Sequence, residues 1–357
     1  KGFGSIERGM FESFNNESTK EEIPLKIGGF FTPIHALIGG TTIGISVIAN
    51  AILFGRVTGN SGMIRSLISK PVVANTFKYS YVGGLLTAGL VLRYKYPHVF
   101  CGDALTHAGI PRIAVGTFLM GLGATLGNGC TAGHSVCGVA RLSTRSAVFT
   151  AVYMAVASLT SHLTKTAEAL NIPAVPPELS LPSSDTVLKI TAFNAGLVAT
   201  YALAAFRPQL RTPVVESGLS YLTGLGFGVG LGVAGMSRAD KVAAFLDFDK
   251  PWFDGSLAFV MASAVGLAAI GFRIVKTRGS CTFFGKQLSI PTAKNIDARL
   301  LLAATLFGAG WGYAGYCPGP LAVNLTGDST GNGAIGFATM LTGMFVGSRI
   351  PPGFLSK

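Results

Sequence analysis

Apolar blocks about as long as a bilayer is thick recur along this chain. Read between charges and prolines, they fall at roughly 32–54, 77–94, 111–128, 146–165, 187–206, 217–235, 255–273, 299–315 and 333–350. Blocks of that length and number leave little sequence for a water-facing globule. Of the 357 residues, only 28 are Lys or Arg and 16 are Asp or Glu. That 12% compares with roughly 25% in a soluble domain. The expected fold class is therefore an all-α polytopic membrane protein of about nine transmembrane helices. Tyr79, Tyr81, Tyr94 and Tyr96 bracket the second block as an interfacial aromatic belt would.

The expected organisation has five parts: a polar N-terminal tail (1–31), a first half (32–170), a Pro-rich loop with a connecting helix (171–212), a second half (213–350) and a C-terminal tail (351–357). The tail lacks the apolar run of a secretory signal peptide. The net charge of +12 would suggest nucleic acid on a soluble protein. Here no basic run carries interleaved aromatics, so no nucleic-acid partner is expected. Segments on the C-terminal side of the expected topology hold 16 of the 28 basic residues. The positive-inside rule then places the C-terminus on the cytoplasmic or matrix side of a plasma, inner or mitochondrial inner membrane.

Internal repeats organise the blocks. At an offset of 80, Phe227, Gly228, Gly230, Gly232, Ala234 and Gly235 match Phe307, Gly308, Gly310, Gly312, Ala314 and Gly315. At 187, Gly121, Gly123 and Cys130 match Gly308, Gly310 and Cys317; at 74, Gly55, Gly59 and Ser61 match Gly129, Gly133 and Ser135. The pattern predicts four copies of one unit, in which a Gly-rich span runs into an irregular segment and then another span. Arg56, Cys130, Ser237 and Cys317 stand at the equivalent loop positions. Two units precede the fifth span and two follow it, which inverts the second half in the membrane. Many transporters share that plan, with the site near the midplane at broken helices. Irregular backbone at membrane depth survives only inside protein or beside a polar path. Four re-entrant loops are expected to meet around a narrow conduit.

The string Gly127-Asn128-Gly129-Cys130-Thr131-Ala132-Gly133-His134-Ser135-Val136-Cys137-Gly138, followed by Arg141-Leu142-Ser143, resembles the YeeE/YedE sulphur-transport family. So do Phe54-Gly55-Arg56-Val57-Thr58-Gly59-Asn60-Ser61-Gly62, Ala234-Gly235-Met236 and Gly315-Tyr316-Cys317-Pro318-Gly319-Pro320. The resemblance spans about residues 32–350. It implies a membrane importer of thiosulfate or a related sulphur-containing anion, with cysteines passing the anion along by thiol contacts. Cys130 and Cys317 fit that role, and Cys137 is a further candidate. The first and third loops carry Arg56 and Ser237 where a thiol would stand.

Elementary chemistry points the same way. Ends of broken helices present free N–H groups and the positive end of the helix dipole. Gly-rich turns such as Gly129 and Gly315 form anion-binding nests. A sulphur-bearing oxyanion needs those donors and soft contacts, which thiols supply. Burial favours the neutral thiol, suited to hydrogen bonding rather than attack. Arg56 would add fixed charge, Asn128 a polar loop contact, and His134 a neighbour to the thiols. His134 with Cys130 and Cys137 lacks a clear fourth ligand, so no metal is expected, nor any cofactor. No acidic residue is expected mid-span, which argues against cation coupling. The expected partners are the anion, the bilayer and a soluble sulphur-accepting protein. The same residues also allow a membrane persulfide carrier or sulphur-relay enzyme, or a structural membrane subunit with a transporter-like fold.

Overall fold

The computed structural model describes residues 30–69, 75–100, 107–277, 282–285, 287–351 and 353–355. The expectations for residues 1–29, Cys101 and Cys281 fall outside them. The long helices are α1 (Pro33–Phe54), α3 (Thr76–Lys95), α4 (Ile110–Leu126), α5 (Thr144–Leu163), α6 (Ser184–Phe206), α7 (Pro213–Val233), α9 (Ser256–Thr277), α10 (Ala298–Ala314) and α12 (Asn332–Arg349). Three short helices lie between them: α2 (Asn60–Arg65), α8 (Ala239–Leu246) and α11 (Pro318–Gly327). A π-helix covers Ala132–Gly138. Among the described residues, the β structure is a two-residue parallel pair, Phe30–Phe31 with Glu178–Leu179, and an isolated bridge between Arg56 and Ser289.

Five candidate membrane spans are long and apolar enough: α1, α5, α6, α9 and the stretch from α10 through α11. Helices α3 and α7 fall short of that measure for a physical reason. Gly84 and Gly89 of α3, and Ser220, Thr223 and the glycines from 224 to 232 of α7, are buried in the bundle, where close packing replaces contact with lipid.

Glycines set how closely the helices approach. Gly226, Gly228, Gly230 and Gly232 alternate between two faces of α7. Gly226 and Gly230 press on Ser46 and Gly39 of α1, while Gly228 and Gly232 press on Ala88 and Leu92 of α3. Three crossings are reciprocal: Gly39 with Gly230, Gly84 with the Tyr221–Gly224 turn, and Gly116 with Gly310. In each, a Cβ on one helix would meet backbone of the other.

Helix pairs come in matching sets. α1 packs on α9 as α7 packs on α3, and α4 packs on α12 as α10 packs on α5, while α1–α7 and α4–α10 cross in the middle. A two-fold exchange of residues before and after α6 generates this set. α6 lies outside it, against α1 and α7, with Leu188, Val198, Leu203 and Phe206 exposed.

Gly310→Ala should destabilise the bundle, because its Cβ would lie against the Gly116 carbonyl and the Met120 backbone. Overpacking of that kind costs about 1–3 kcal/mol. Gly196→Ala, which meets nothing within 4 Å, should be neutral. Thermal unfolding of the detergent-solubilised variants compares the two.

Candidate functional site

Each of α1, α4, α7 and α10 stops at a left-handed residue inside or at the end of the bundle: Gly55 (φ 66°), Asn128 (φ 54°), Gly235 (φ 74°) and Gly315 (φ 72°). Glycine reaches this conformation without a Cβ clash, and Asn is among the few other residues that tolerate it. A short helix follows each stop: α2, the π-helix, α8 and α11. A π-helix is rare and occurs mostly at functional positions.

The left-handed residue also fixes the register of the four breaks. Two positions beyond it stand Cys130, Ser237 and Cys317, but Val57 in the first break. Arg56 is therefore one residue out of the register expected for it.

The breaks come from opposite ends. Arg299 Nε donates to the Leu126 carbonyl, so α10 starts where α4 stops. Arg112 at the start of α4 donates to the Tyr313 carbonyl at the end of α10. The first two breaks thus enter from one end and the last two from the other, and their tips meet inside. Thr131 Oγ1 donates to Cys317 Sγ at 3.6 Å. Cys137 Sγ donates to the Thr58 carbonyl at 3.4 Å. Gly319 packs on the Asn60 amide, and Asn324 Nδ2 donates to the Ser237 carbonyl at 2.9 Å.

Cys130, Cys137 and Cys317 are free and buried. Cys130 opens the second break, seven residues before Cys137 of the π-helix, and the neighbouring Thr131 reaches Cys317 of the fourth break. Tyr81 donates to Asn60 Oδ1 at 2.7 Å, and Tyr153 pairs with Ser135 Oγ at 2.5 Å. Ser237 is fully buried, and its hydroxyl has no hydrogen-bond partner.

Other expected residues take different places. His134 is held by Ser146 Oγ at 3.1 Å and the Gly127 carbonyl at 3.2 Å, and stacks on Phe149 with centroids 4.1 Å apart. Both ring nitrogens are engaged, and the ring packs against Gly129, where a Cβ would collide with it. His134 therefore braces the second break. Among the described residues no group of three His, Cys, Asp or Glu could hold a metal. Gly315 packs on the Ala239 backbone and joins the third and fourth breaks. Asn128 is exposed on the wall of a large cavity.

That cavity, about 810 Å³, opens at the end where the first two breaks enter. Arg56, Arg65, Lys78, Arg141 and Arg145 line it, and no carboxylate does. Its floor is the approach of Gly59 to Gly133, with Thr58 and Cys137 just below. Arg56 is not the unpaired charge expected for it: Nη1 binds Glu216 Oε1 at 2.7 Å, and the guanidinium stacks 3.6 Å over Phe77. The α9–α10 connection straps the rim, with Ser289 N donating to the Gly55 carbonyl at 2.9 Å. A second cavity of about 270 Å³ lies at the opposite end, lined by His35, His98, Arg238 and Lys241 among others.

Carboxylates are expected to stay out of the spans, yet two are buried where the third break packs. Asp240 of α8 is wholly buried and holds Arg238 in a two-pronged pair at 2.5 and 3.1 Å. Asp254 is buried and binds Lys241 Nζ at 2.6 Å. Sequence spacing put both near span ends, but packing of the third break drew them inside. The argument against cation coupling loses its basis.

A helical bundle of apolar helices with broken segments meeting between two cavities defines an integral membrane protein of the transport class. Residues 216–350 match a family described as "Family of unknown function (DUF6691)". A protein named "Probable transporter" from Xylella fastidiosa strain Temecula1 is 35% identical over 129 residues, which are 36% of this chain and 84% of that protein. A protein of the same name from strain 9a5c is 35% identical over 129 residues, 36% of this chain and 86% of that protein. A second from Temecula1 is 34% identical over 123 residues, 34% of this chain and 86% of its own length. The chain belongs to this transporter family. The relatives are short, so one of them aligns with little more than a third of this chain.

Gly133→Val should leave the fold intact, because the space around Gly133 holds only Gly59 at ordinary contact distance. It should block passage through the floor of the cavity. Solute flux in proteoliposomes, beside size-exclusion behaviour, measures both.

Proposed function

We propose that the chain is a channel-like importer of thiosulfate or a closely related sulphur-containing anion, and not an enzyme. The nine long helices cross the membrane, and the four breaks are re-entrant. The anion enters between Gly59 and Gly133 and moves along Cys137, Cys130 and Cys317, with Thr131, Thr58 and the Tyr81 and Tyr153 hydroxyls beside it. Neutral thiols offer a soft, polarizable contact to a terminal sulphur. Backbone N–H groups at the broken helix ends face its oxygens.

What supports this reading is three buried thiols in the second and fourth breaks, which touch through Thr131 and Cys317, near a cavity whose charged lining residues, among those described, are all cationic. A single basic cavity would suit any anion; the thiols beneath it favour one that bears sulphur. The family's transporter name supports passage rather than turnover. The basic end of the bundle, which also holds the end of α12, faces the cytoplasm or matrix by the positive-inside rule. A soluble sulphur-accepting protein on that side would take up the product.

Uptake of radiolabelled thiosulfate into proteoliposomes tests the reading. Cys130→Ala and Cys317→Ala should each cut the initial rate about tenfold or more, equivalent to ~1.4 kcal/mol of lost stabilisation. Unlabelled thiosulfate should compete better than sulfate. Wild-type rates in both variants would refute the role of the thiols.

A further inference from the structure

The five cations of the large cavity are not equivalent, and their partners separate them. Arg56 is neutralised by Glu216. Arg141 is engaged by two carbonyls, Cys137 O through Nε at 3.1 Å and Pro291 O through Nη1 at 3.0 Å. Arg145 holds the Asn295 carbonyl of the strap. Arg65 and Lys78 remain. The Arg65 guanidinium has no hydrogen bond and no ion pair among the described residues, yet it is only partly exposed. Lys78 Nζ lies 5.8 Å from the Phe77 ring centroid and has no hydrogen bond or ion pair among the described residues.

Two partly buried like charges without a counter-charge oppose folding. A charge taken from water costs free energy unless it is paired. Proteins remove such a cost by placing an acid nearby. Among the described residues, the carboxylate that reaches these cations is Glu216, and it is bound to Arg56. The segments between α2 and α3 and between α9 and α10 contain no Asp or Glu before Asp297. Asp297 itself caps α10 by accepting from Leu300 N at 2.8 Å. Among the described residues no further acid reaches Arg65 or Lys78, which leaves the pair open to an external anion.

We propose that Arg65 and Lys78 form a binding site for one doubly charged oxyanion, of the sulfate, thiosulfate or phosphate type, in the wall of the cavity. Two unit charges match the two charges of such a group. A guanidinium offers paired N–H donors to two oxygens, and an ammonium adds a point charge. The site lies above the Gly59–Gly133 floor and is separate from the thiols. Resting on the transport reading, it is a staging position that holds the anion between solvent and the thiol layer. The same chemistry could be supplied by a lipid headgroup at the rim, and the test separates the two sources.

Thermal unfolding of the full chain in neutral detergent provides the test. Sodium sulfate and sodium thiosulfate should raise the unfolding temperature, and sodium chloride at equal ionic strength should not. In Arg65→Gln and Lys78→Gln the anion-dependent shift should shrink, with the apparent sulfate affinity at least about tenfold weaker. Arg65→Gln without anion should unfold no lower than wild type, because it removes an uncompensated charge. Cys130→Ala and Cys317→Ala should keep the full sulfate shift, so the site can stand if the thiol route falls. Nanodiscs of phosphatidylcholine, with and without phosphatidylglycerol, make the lipid arm. A shift that needs phosphatidylglycerol and is absent with sulfate would overturn the staging role. An unchanged sulfate shift in both charge variants would overturn the site.

Discussion

The backbone of a helix inside a bilayer has no water to turn to, so each interruption must satisfy its own N–H and C=O groups. The four left-handed stops do this locally. At the second break Gly129 N bonds back to the Ala124 carbonyl, and at the third Met236 N bonds to the Leu231 carbonyl. These bonds close the end of one helix and turn the chain back into the bundle. Two carbonyls are satisfied across breaks, Ser237 by Asn324 Nδ2 and Thr58 by Cys137. The interruptions therefore stabilise one another, and the place where they meet is fixed by their mutual hydrogen bonding. Glycine crossings among the long helices hold the frame close enough for the tips to touch.

The two ends of the bundle handle charge in different ways. At the second cavity each buried cation has its own acid, Arg238 with Asp240 and Lys241 with Asp254. At the large cavity five cations face one carboxylate that does not line it. The repeat supplies the same backbone plan at both ends, so the asymmetry resides in side chains. A balanced mouth is electrically neutral to a passing anion, whereas an unbalanced one concentrates anions near it.

Much of this frame could be read from residues alone, because Gly and Pro clusters inside apolar runs have no lipid-compatible helical form. The positions of Cys130 and Cys317 followed from aligning those clusters. Other features left no local trace. Tyr81 reads as part of an interfacial belt and Tyr153 as part of an ordinary apolar run, and only packing buries both and turns their hydroxyls to Asn60 and Ser135 of the breaks. The pair of Arg56 with Glu216 joins residues 160 apart. Asp240 and Asp254 read as loop acids because hydropathy averages over a window, while burial depends on which face the third break turns inward. Hydropathy also undercounts α3 and α7, whose small and polar residues belong to the interior. The one-residue slip at Arg56 arises because an offset match weighs glycines equally, whereas the fold keys on the left-handed one.

A divalent anion poses opposite demands on such a path. It must be drawn from water, which strongly hydrates it, and it must also leave. Full charges in the narrow part would hold it too well, since Coulomb attraction grows as water is excluded. Conduction requires sites weak or numerous enough to release what they bind. In the proposed route the two tasks are separated by depth. Arg65 and Lys78, unpaired among the described residues, stand in the wide cavity, where screening keeps their hold moderate. Below the Gly59–Gly133 floor the groups are neutral: thiols, hydroxyls and backbone N–H. Closest to this layer, Arg141 has its guanidinium tied to the Cys137 and Pro291 carbonyls. A path built this way attracts by charge and selects by softness, and neither property has to be strong enough to trap the ion.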